Sequence, residues 1–449
     1  MNKKKWALLV LAALLVFGYI KLFYKTYSEK AVPKSADCII ALDVKRITNT
    51  LIWNYITTPG QWKTGRLFSK KTGKAGWDDM IELPDYVLAF HILNQPANAW
   101  YLLLTIKDKT DFYKGLLQFQ FEKLSDHEYL NKVYGIYLLV NDKKVLVANA
   151  AVENKNYTAA VADELFSKKS YIPRATLSKA IKAKSHIAVY LASNIFLQKE
   201  AVISGNFNKE KIEISGSLTP DQQYTFIENN FLYSSGSICT FGFTQPSPAV
   251  FELLNKNDKE KISKALNIDI DSVLHQSNSS YNFNLAAVKM QTDSAISYSY
   301  DEEFNKVEKM TVNNIQEPAF NFLITGDSVA AIYTYLQRSN KLEKTAAGDL
   351  FTPMPLVRSF CSKKNENQLA ITAFNYDPTV EDRSVTAIFF LNLALTKIPK
   401  DLQKYLPELI MQGISNIEAV KLSITKNNDQ VLISGIFEKI KNDLPIIKF

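Results

Sequence analysis

The chain has 449 residues, 47% of them hydrophobic and 22% charged, so it is long enough for two or three domains and too apolar for wholesale disorder. A formal net charge of +8 would suit a nucleic-acid binder, but residues 1–35 hold seven Lys against the single acid Glu29, and the rest of the chain is nearly neutral. No half of the chain carries the basic stripe that phosphate contacts need, which excludes nucleic acid as a partner.

The first segment, "MNKKKWALLVLAALLVFGYIKLFYK", sets Lys3, Lys4 and Lys5 before an apolar run from Trp6 to Tyr24 that only Lys21 interrupts. Nineteen residues at a helical rise come to roughly 28 Å, about the hydrocarbon thickness of a bilayer. Lys21 can snorkel to the headgroups beside Tyr24. These residues predict a cytoplasmic tip and transmembrane anchor over 1–25, a linker over 26–35, and the bulk of the chain in the periplasm or outside. The lipid bilayer is then a partner, and the address is a single-pass protein of the inner membrane. The competing reading is a cleaved signal peptide. It lacks an A-x-A site, and Asp37 in "KSADC" spoils a lipoprotein box.

Four apolar, β-rich runs then lead through a capping residue into a helical pattern. The first, "DCIIALDVKRITNTLIWNYI" at 37–56, has Asp43 as its cap. The second, "HIAVYLASNIFLQ" at 186–198, has Ser193. The third, at 237–254, offers Ser247 followed by Pro248, and the fourth, at 318–337, offers Asp327. Hairpins lie between them: "YGIYLLV" and "KVLVANA" join across "NDKK", and "NFNLAAVKM" and "AISYSYD" flank "QTDS". Helical stretches are "TDFYKGLLQFQF", "PRATLSKAIKA", "KEKISKALN" and "KDLQKYLPELIMQGI".

The triplet ISG recurs at an offset of 219, in "NKEKIEISGSL" at 208–218 and "NNDQVLISGIF" at 427–437, each time as an alternating strand behind a polar turn. The predicted fold class is therefore α+β: two related domains, 36–230 and 231–449, each an antiparallel sheet with packed helices, an internal duplication. "VPKSADCIIALDVKRI", "TIKDKTDFYKGLL", "YGIYLLVNDKKVLVANA" and "LSKAIKAKSHIAVYLAS", in that order, resemble the elements of membrane-anchored bacterial envelope proteins assigned to domains of unknown function, including ones common in Bacteroidota. The resemblance spans about residues 32–215 and implies an extracytoplasmic protein; it supplies no catalytic residues.

Catalytic motifs are lacking, so no enzyme, cofactor or metal is expected. His91, His127, His186 and His275 are widely spaced, and His91 and His186 fit ordinary sheet positions. "GQWKTGR" at 60–66 has Arg66 where a P-loop needs Lys and Leu67 where it needs a hydroxyl. The loop around it gathers Lys63, Arg66, Lys70, Lys71 and Lys74 with Trp62 and Trp77, a candidate surface for anionic groups against the plainer reading of a solvated loop. Cys38, Cys239 and Cys361 fit no zinc site, and Cys38 and Cys239 fall in strand patterns that suit buried thiols. The favoured expectation is a non-enzymatic binding or scaffold protein with an envelope protein as partner. The alternatives are a carrier of lipid or another hydrophobic ligand, motivated by 26 Phe and 22 Tyr, and an enzyme whose site sequence does not reveal.

Overall fold

A computed structural model describes residues 24–57, 76–96, 98–149, 155–193, 197–222, 224–244, 259–260, 263–264, 267–269, 271, 279–300, 302–354, 357–377, 383–399 and 416–440. The chain divides at Pro220 and Asp221 into two compact units.

Unit 1 contains strands β1 (Ala36–Asp43), β2 (Ile81–Glu82), β3 (Tyr86–Ile92), β4 (Tyr101–Ile106), β5 (Glu122–Lys123), β6 (Glu128–Asn131), β7 (Ile136–Asn141), β8 (Lys144–Ala148), β9 (Ile187–Leu191), β10 (Ala201–Phe207) and β11 (Lys211–Leu218). Its helices are α1 (Val44–Thr57), α2 (Lys109–Gln118), α3 (Lys155–Ala162) and α4 (Arg174–Lys182). All pairings are antiparallel, and the sheet runs β11-β10-β9-β1-β3-β4-β8-β7-β6-β5, with β2 on the end of β4. One face is apolar because α3 and α4 lie on it: Val161, Ala162, Leu177 and Ala180 share a core with Ile39, Phe90, Tyr101 and Tyr190. The other face packs Ile106, Leu138 and Val145 against Phe112 and Leu116 of α2. The hairpin β7–β8 turns at Asp142, whose φ of 53 suits the tight turn expected from "NDKK". Asp43 is buried and caps α1, its Oδ1 accepting from the Arg46 N–H at 2.8 Å while Oδ2 pairs with Lys25.

Unit 2 contains β12 (Asn229–Tyr233), β13 (Cys239–Thr244), β14 (Ser280–Tyr300), β15 (Lys306–Thr325), α5 (Val329–Arg338), β16 (Leu342–Thr345), β17 (Gly348–Phe351), β18 (Ser359–Asn365), β19 (Gln368–Ala373), β20 (Arg383–Ala387), β21 (Phe389–Ala394), β22 (Ile417–Asn427) and β23 (Gln430–Lys439). Its sheet runs β23-β22-β21-β13-β14-β15-β19-β18-β17-β16, strand for strand the order of unit 1. Helix α5 follows β15 as α2 follows β4, and its Val329, Ile332 and Leu336 bury one face with Tyr281, Phe320 and Ile324. No helix among the described residues lies between β19 and β21 to cover the other face. A two-stranded ribbon, β12 paired with β20, sits there instead. Gly242 in β13 admits it, since a Cβ at that position would lie 2.4 Å from the Phe231 ring.

Three expectations change. Strand outweighs helix, 49% to 20%, so the fold class is mainly antiparallel β rather than α+β with packed helices. The excess strand comes from β14–β15, where "QTDS" is strand rather than turn and the chain reverses only after Tyr300. The start of the helix expected after Ser193 falls on 194–196, outside the described residues, and Leu197, within its expected span, bridges Pro220 ahead of β10. Finally, no helix among the described residues is long and apolar enough to cross a membrane, against the transmembrane anchor and the single-pass inner-membrane address. The longest, α1, spans 14 residues, roughly 21 Å. Of the anchor residues, Lys3, Lys4, Lys5, Trp6 and Lys21 lie outside the described residues. Tyr24 is exposed, and the residues after it belong to the fold of unit 1, where Thr26 donates to Asp85 at 2.7 Å and Val32 is fully buried. Ser247, Pro248 and the segment 400–414 also lie outside.

Candidate functional site

Cross-strand register sets the chemistry of each sheet face, because residues in register on neighbouring strands stand side by side. In unit 1 the row Val202–Tyr190–Ile39–Phe90–Tyr101–Ala148 crosses six strands and is wholly apolar apart from two phenol tips. Unit 2 carries Lys421–Asn392–Thr240–Asn284–Asn321–Thr372 on the corresponding strands β22, β21, β13, β14, β15 and β19. The polar row is braced from within. Asn284 is 1% exposed; its Oδ1 accepts from Ser237 Oγ at 2.5 Å and from Thr240 Oγ1 at 3.0 Å, and its Nδ2 donates to Tyr376 Oη at 2.9 Å. Thr372 Oγ1 donates to Asn321 Oδ1 at 2.9 Å. Buried amides are tolerated when their hydrogen bonds are made, and these are. The outer end of the row, Asn392 and Lys421, opens into a cavity of about 470 Å³ between the ribbon β12–β20 and strands β21, β22 and β23.

A second feature of unit 2 is the outer part of β14 and β15. Beyond Val288 and Pro318 the two strands pair only with each other, among the described residues, out to Tyr300 and Lys306. Twelve residues from 289 to 300 at a strand rise give an arm of roughly 40 Å. A β-bulge at Ala286 inserts one residue between the pairs Leu285–Phe320 and Ala287–Ala319. Because side chains alternate between faces, that extra residue changes β14 from odd to even on the core side while β15 stays even. Tyr281, Phe283, Phe320 and Ile324 face the core, and further out Met290, Ile296, Tyr298, Tyr300, Met310 and Val312 fall on the same side, now exposed. Lys306 Nζ sits 3.8 Å over the Tyr298 ring, and Phe304 in the turn is 85% exposed. Glu302 and Glu303, both exposed in the turn, make the tip acidic.

The candidate anionic-surface loop is not part of either feature. Lys63, Arg66, Lys70, Lys71, Lys74 and Trp62 lie outside the described residues, and Trp77 begins a single helical turn ending at the buried Met80. His91 Nδ1 lies 2.8 Å from Asp37 Oδ1 and its Nε2 3.1 Å from the Pro96 carbonyl, while His186 is buried, so both are spent on the fold. All three cysteines are free. Burial pushes the Cys38 and Cys361 thiols up to about 12 and raises Cys239, which leaves no reactive thiolate among them. Among the described residues no three His, Cys, Asp or Glu side chains gather as metal ligands would. The polar row and the arm had no linear signal, since the row draws on residues from 240 to 421 and the arm is hidden behind a turn-like tetrapeptide.

No protein-family model, curated protein or solved structure matches this chain. Its own surfaces are therefore the guide to what it does.

Proposed function

We propose that the protein is a non-catalytic binding protein that holds a polypeptide partner through the β14–β15 arm. The observation that carries this reading is the apolar face of the arm, Met290, Ile296, Tyr298, Tyr300, Met310 and Val312 aligned on one side with no covering element among the described residues. Large apolar side chains exposed on one face of a folded chain, here interspersed with Lys306, Glu308 and Gln316, mark an interaction surface, and aromatic and Met side chains are the usual anchors of protein interfaces. Among the described residues neither edge of the arm pairs with a further strand, which leaves both open to the addition of one. The acidic tip favours a partner that sets Lys or Arg beside its apolar residues and disfavours an anionic lipid surface. The reading of a hydrophobic-ligand carrier gains less, because the aromatic rings that motivated it, such as Phe90, Phe112, Tyr101 and Tyr281, are packed in the two cores.

A photo-crosslinking residue placed at Tyr298 of the full chain tests the proposal in cells that produce it. Expected is a discrete protein adduct at Tyr298 that is lost when Met310→Ser and Ile296→Ser are added, and a weak one or none at Ser299 on the opposite face. Adducts to lipid alone, or equal adducts from both faces, would overturn it.

A further inference from the structure

The cavity under the ribbon of unit 2 lies on the core side of the ribbon, away from the alternating face that forms the arm, and its lining has a chemistry of its own. Its floor is aromatic: Tyr233 and Phe390 stand 5.0 Å apart between ring centroids, and Phe390 is buried. Around them the Asn392 amide, the Ser423 and Ser434 hydroxyls, the Glu418 carboxylate and the Arg383 guanidinium line the cavity and bind no other side chain among the described residues. Two further groups are already engaged, Lys421 with Glu438 at 2.8 Å and Lys397 with the Gly236 carbonyl at 2.7 Å. A few convergent polar groups on an apolar floor, in a space of several hundred Å³, is the usual form of a small-molecule site.

The mixture of signs narrows the ligand. A cleft for an ion is lined by charge of one sign. Here an anion would face Glu418 and Glu438, and a cation would face Arg383, Lys397 and Lys421. A hydroxyl both donates and accepts, so carboxylate, guanidinium, amide and serine all satisfy it. The C–H face of a sugar ring is apolar and packs on an aromatic ring, which the floor supplies. We propose that this cavity binds a neutral, hydroxyl-rich ligand of about disaccharide size, with Asn392, Glu418 and Arg383 holding its hydroxyls and Tyr233, backed by the buried Phe390, against its ring.

Saturation-transfer NMR of the full chain with maltose, cellobiose, lactose, sucrose, trehalose and N,N′-diacetylchitobiose tests this, followed by calorimetry on any sugar that receives transfer. Expected is at least one sugar with a Kd on the order of 1 mM or tighter, weakened about tenfold or more by Asn392→Ala and by Glu418→Gln. The exposed Ser434→Val supplies a third variant should Asn392→Ala alter the thermal melt. The Tyr298→Ser variant of the arm is expected to bind the sugar as the native chain does, so this result stands apart from the fate of the protein-binding reading. Transfer to none of the six sugars would overturn the proposal, as would binding that all three variants leave unchanged. Displacement of the sugar by inorganic phosphate would also overturn it, in favour of an anion site.

Discussion

Unit 1 joins β8 to β9 through residues 149–186, which carry α3 and α4; unit 2 joins β19 to β21 through residues 374–388, where β20 is the one element among the described residues. The sheet beneath follows the cover. Under two helices the six-strand row is Val202, Tyr190, Ile39, Phe90, Tyr101 and Ala148, and its central side chains are inaccessible to water. Without them the same strands carry Lys421, Asn392, Thr240, Asn284, Asn321 and Thr372. Strand order is thus set by connection lengths and pairing, while the chemistry of a face is set by what lies on it, so one topology carries an apolar row under helices in unit 1 and a polar row beside a ribbon in unit 2.

The contrast can be broken most forcefully in unit 1. Phe90→Ala is expected to cost about 3–5 kcal/mol, because it opens a cavity beneath α3 and α4 that the packed row cannot fill; chemical denaturation of the full chain measures it. Asn284→Ala, at the corresponding position of unit 2, is expected to cost about 1–3 kcal/mol, since Ser237, Thr240 and Tyr376 lose their common partner but keep access to one another. An equal or larger loss at Asn284 would mean that the polar row holds unit 2 together as the apolar row holds unit 1. Gly242→Val is expected to cost about 1–3 kcal/mol by overpacking against Phe231, with the ribbon displaced and any ligand of the cavity lost. Ala41, in the matching strand of unit 1, is already a buried residue with a Cβ, and Ala41→Gly should leave the cavity of unit 2 untouched.

A smaller effect separates the units by pH. Burial holds the His186 imidazole below its ordinary value of 6.5 against the pull of Asn206 Oδ1, 3.2 Å from its Nδ1; that nitrogen also accepts from the Phe207 N–H at 3.3 Å, Nε2 lies 2.8 Å from Thr50 Oγ1, and Arg46 and Lys25 oppose a charge there while Asp43 favours one. The unfolded chain takes up this proton first. Stability is therefore expected to fall as pH drops through 6.5 toward the lower folded value, with a limiting slope of about 1.4 kcal/mol per pH unit. His186→Gln should flatten that slope, and melts recorded between pH 7.5 and 5 would show it. The least effect on stability is expected in the arm. Tyr298→Ser and Met310→Ser remove exposed side chains and should each change stability by less than about 0.5 kcal/mol while abolishing partner capture.

Local signals in the sequence were the readable ones. Asp43 as a cap, the "NDKK" hairpin, and the helical patterns "TDFYKGLLQFQF" and "PRATLSKAIKA" each depend on a few neighbouring residues; the cap and hairpin are found where expected, and the helices form over 109–118 and 174–182, the first ending three residues short of its pattern. The two ISG strands are β11 and β23, the last strands in the two sheet orders. Asp327 sits one residue early, since α5 begins after Ser328. Strand was underestimated where "QTDS" reads as a turn, because each of its four residues pairs across to β15. Neither candidate surface was legible. A row that assembles Thr240, Asn284, Asn321, Thr372, Asn392 and Lys421 exists only once six strands are in register, and the exposed face of the arm depends on a bulge that alanine does not announce.

That bulge works like a reading-frame shift written in space. With Ala286 present, the alternation that fills the core of unit 2 carries on outward in phase and paints one side of the arm apolar. Drawing Ala286 into the regular ladder would slip β14 by one residue against β15, so that Met290, Ile296, Tyr298 and Tyr300 would point away from Met310 and Val312. The placement of one residue outside the ladder thus decides on which side of the arm four large side chains of β14 gather, without altering any of them.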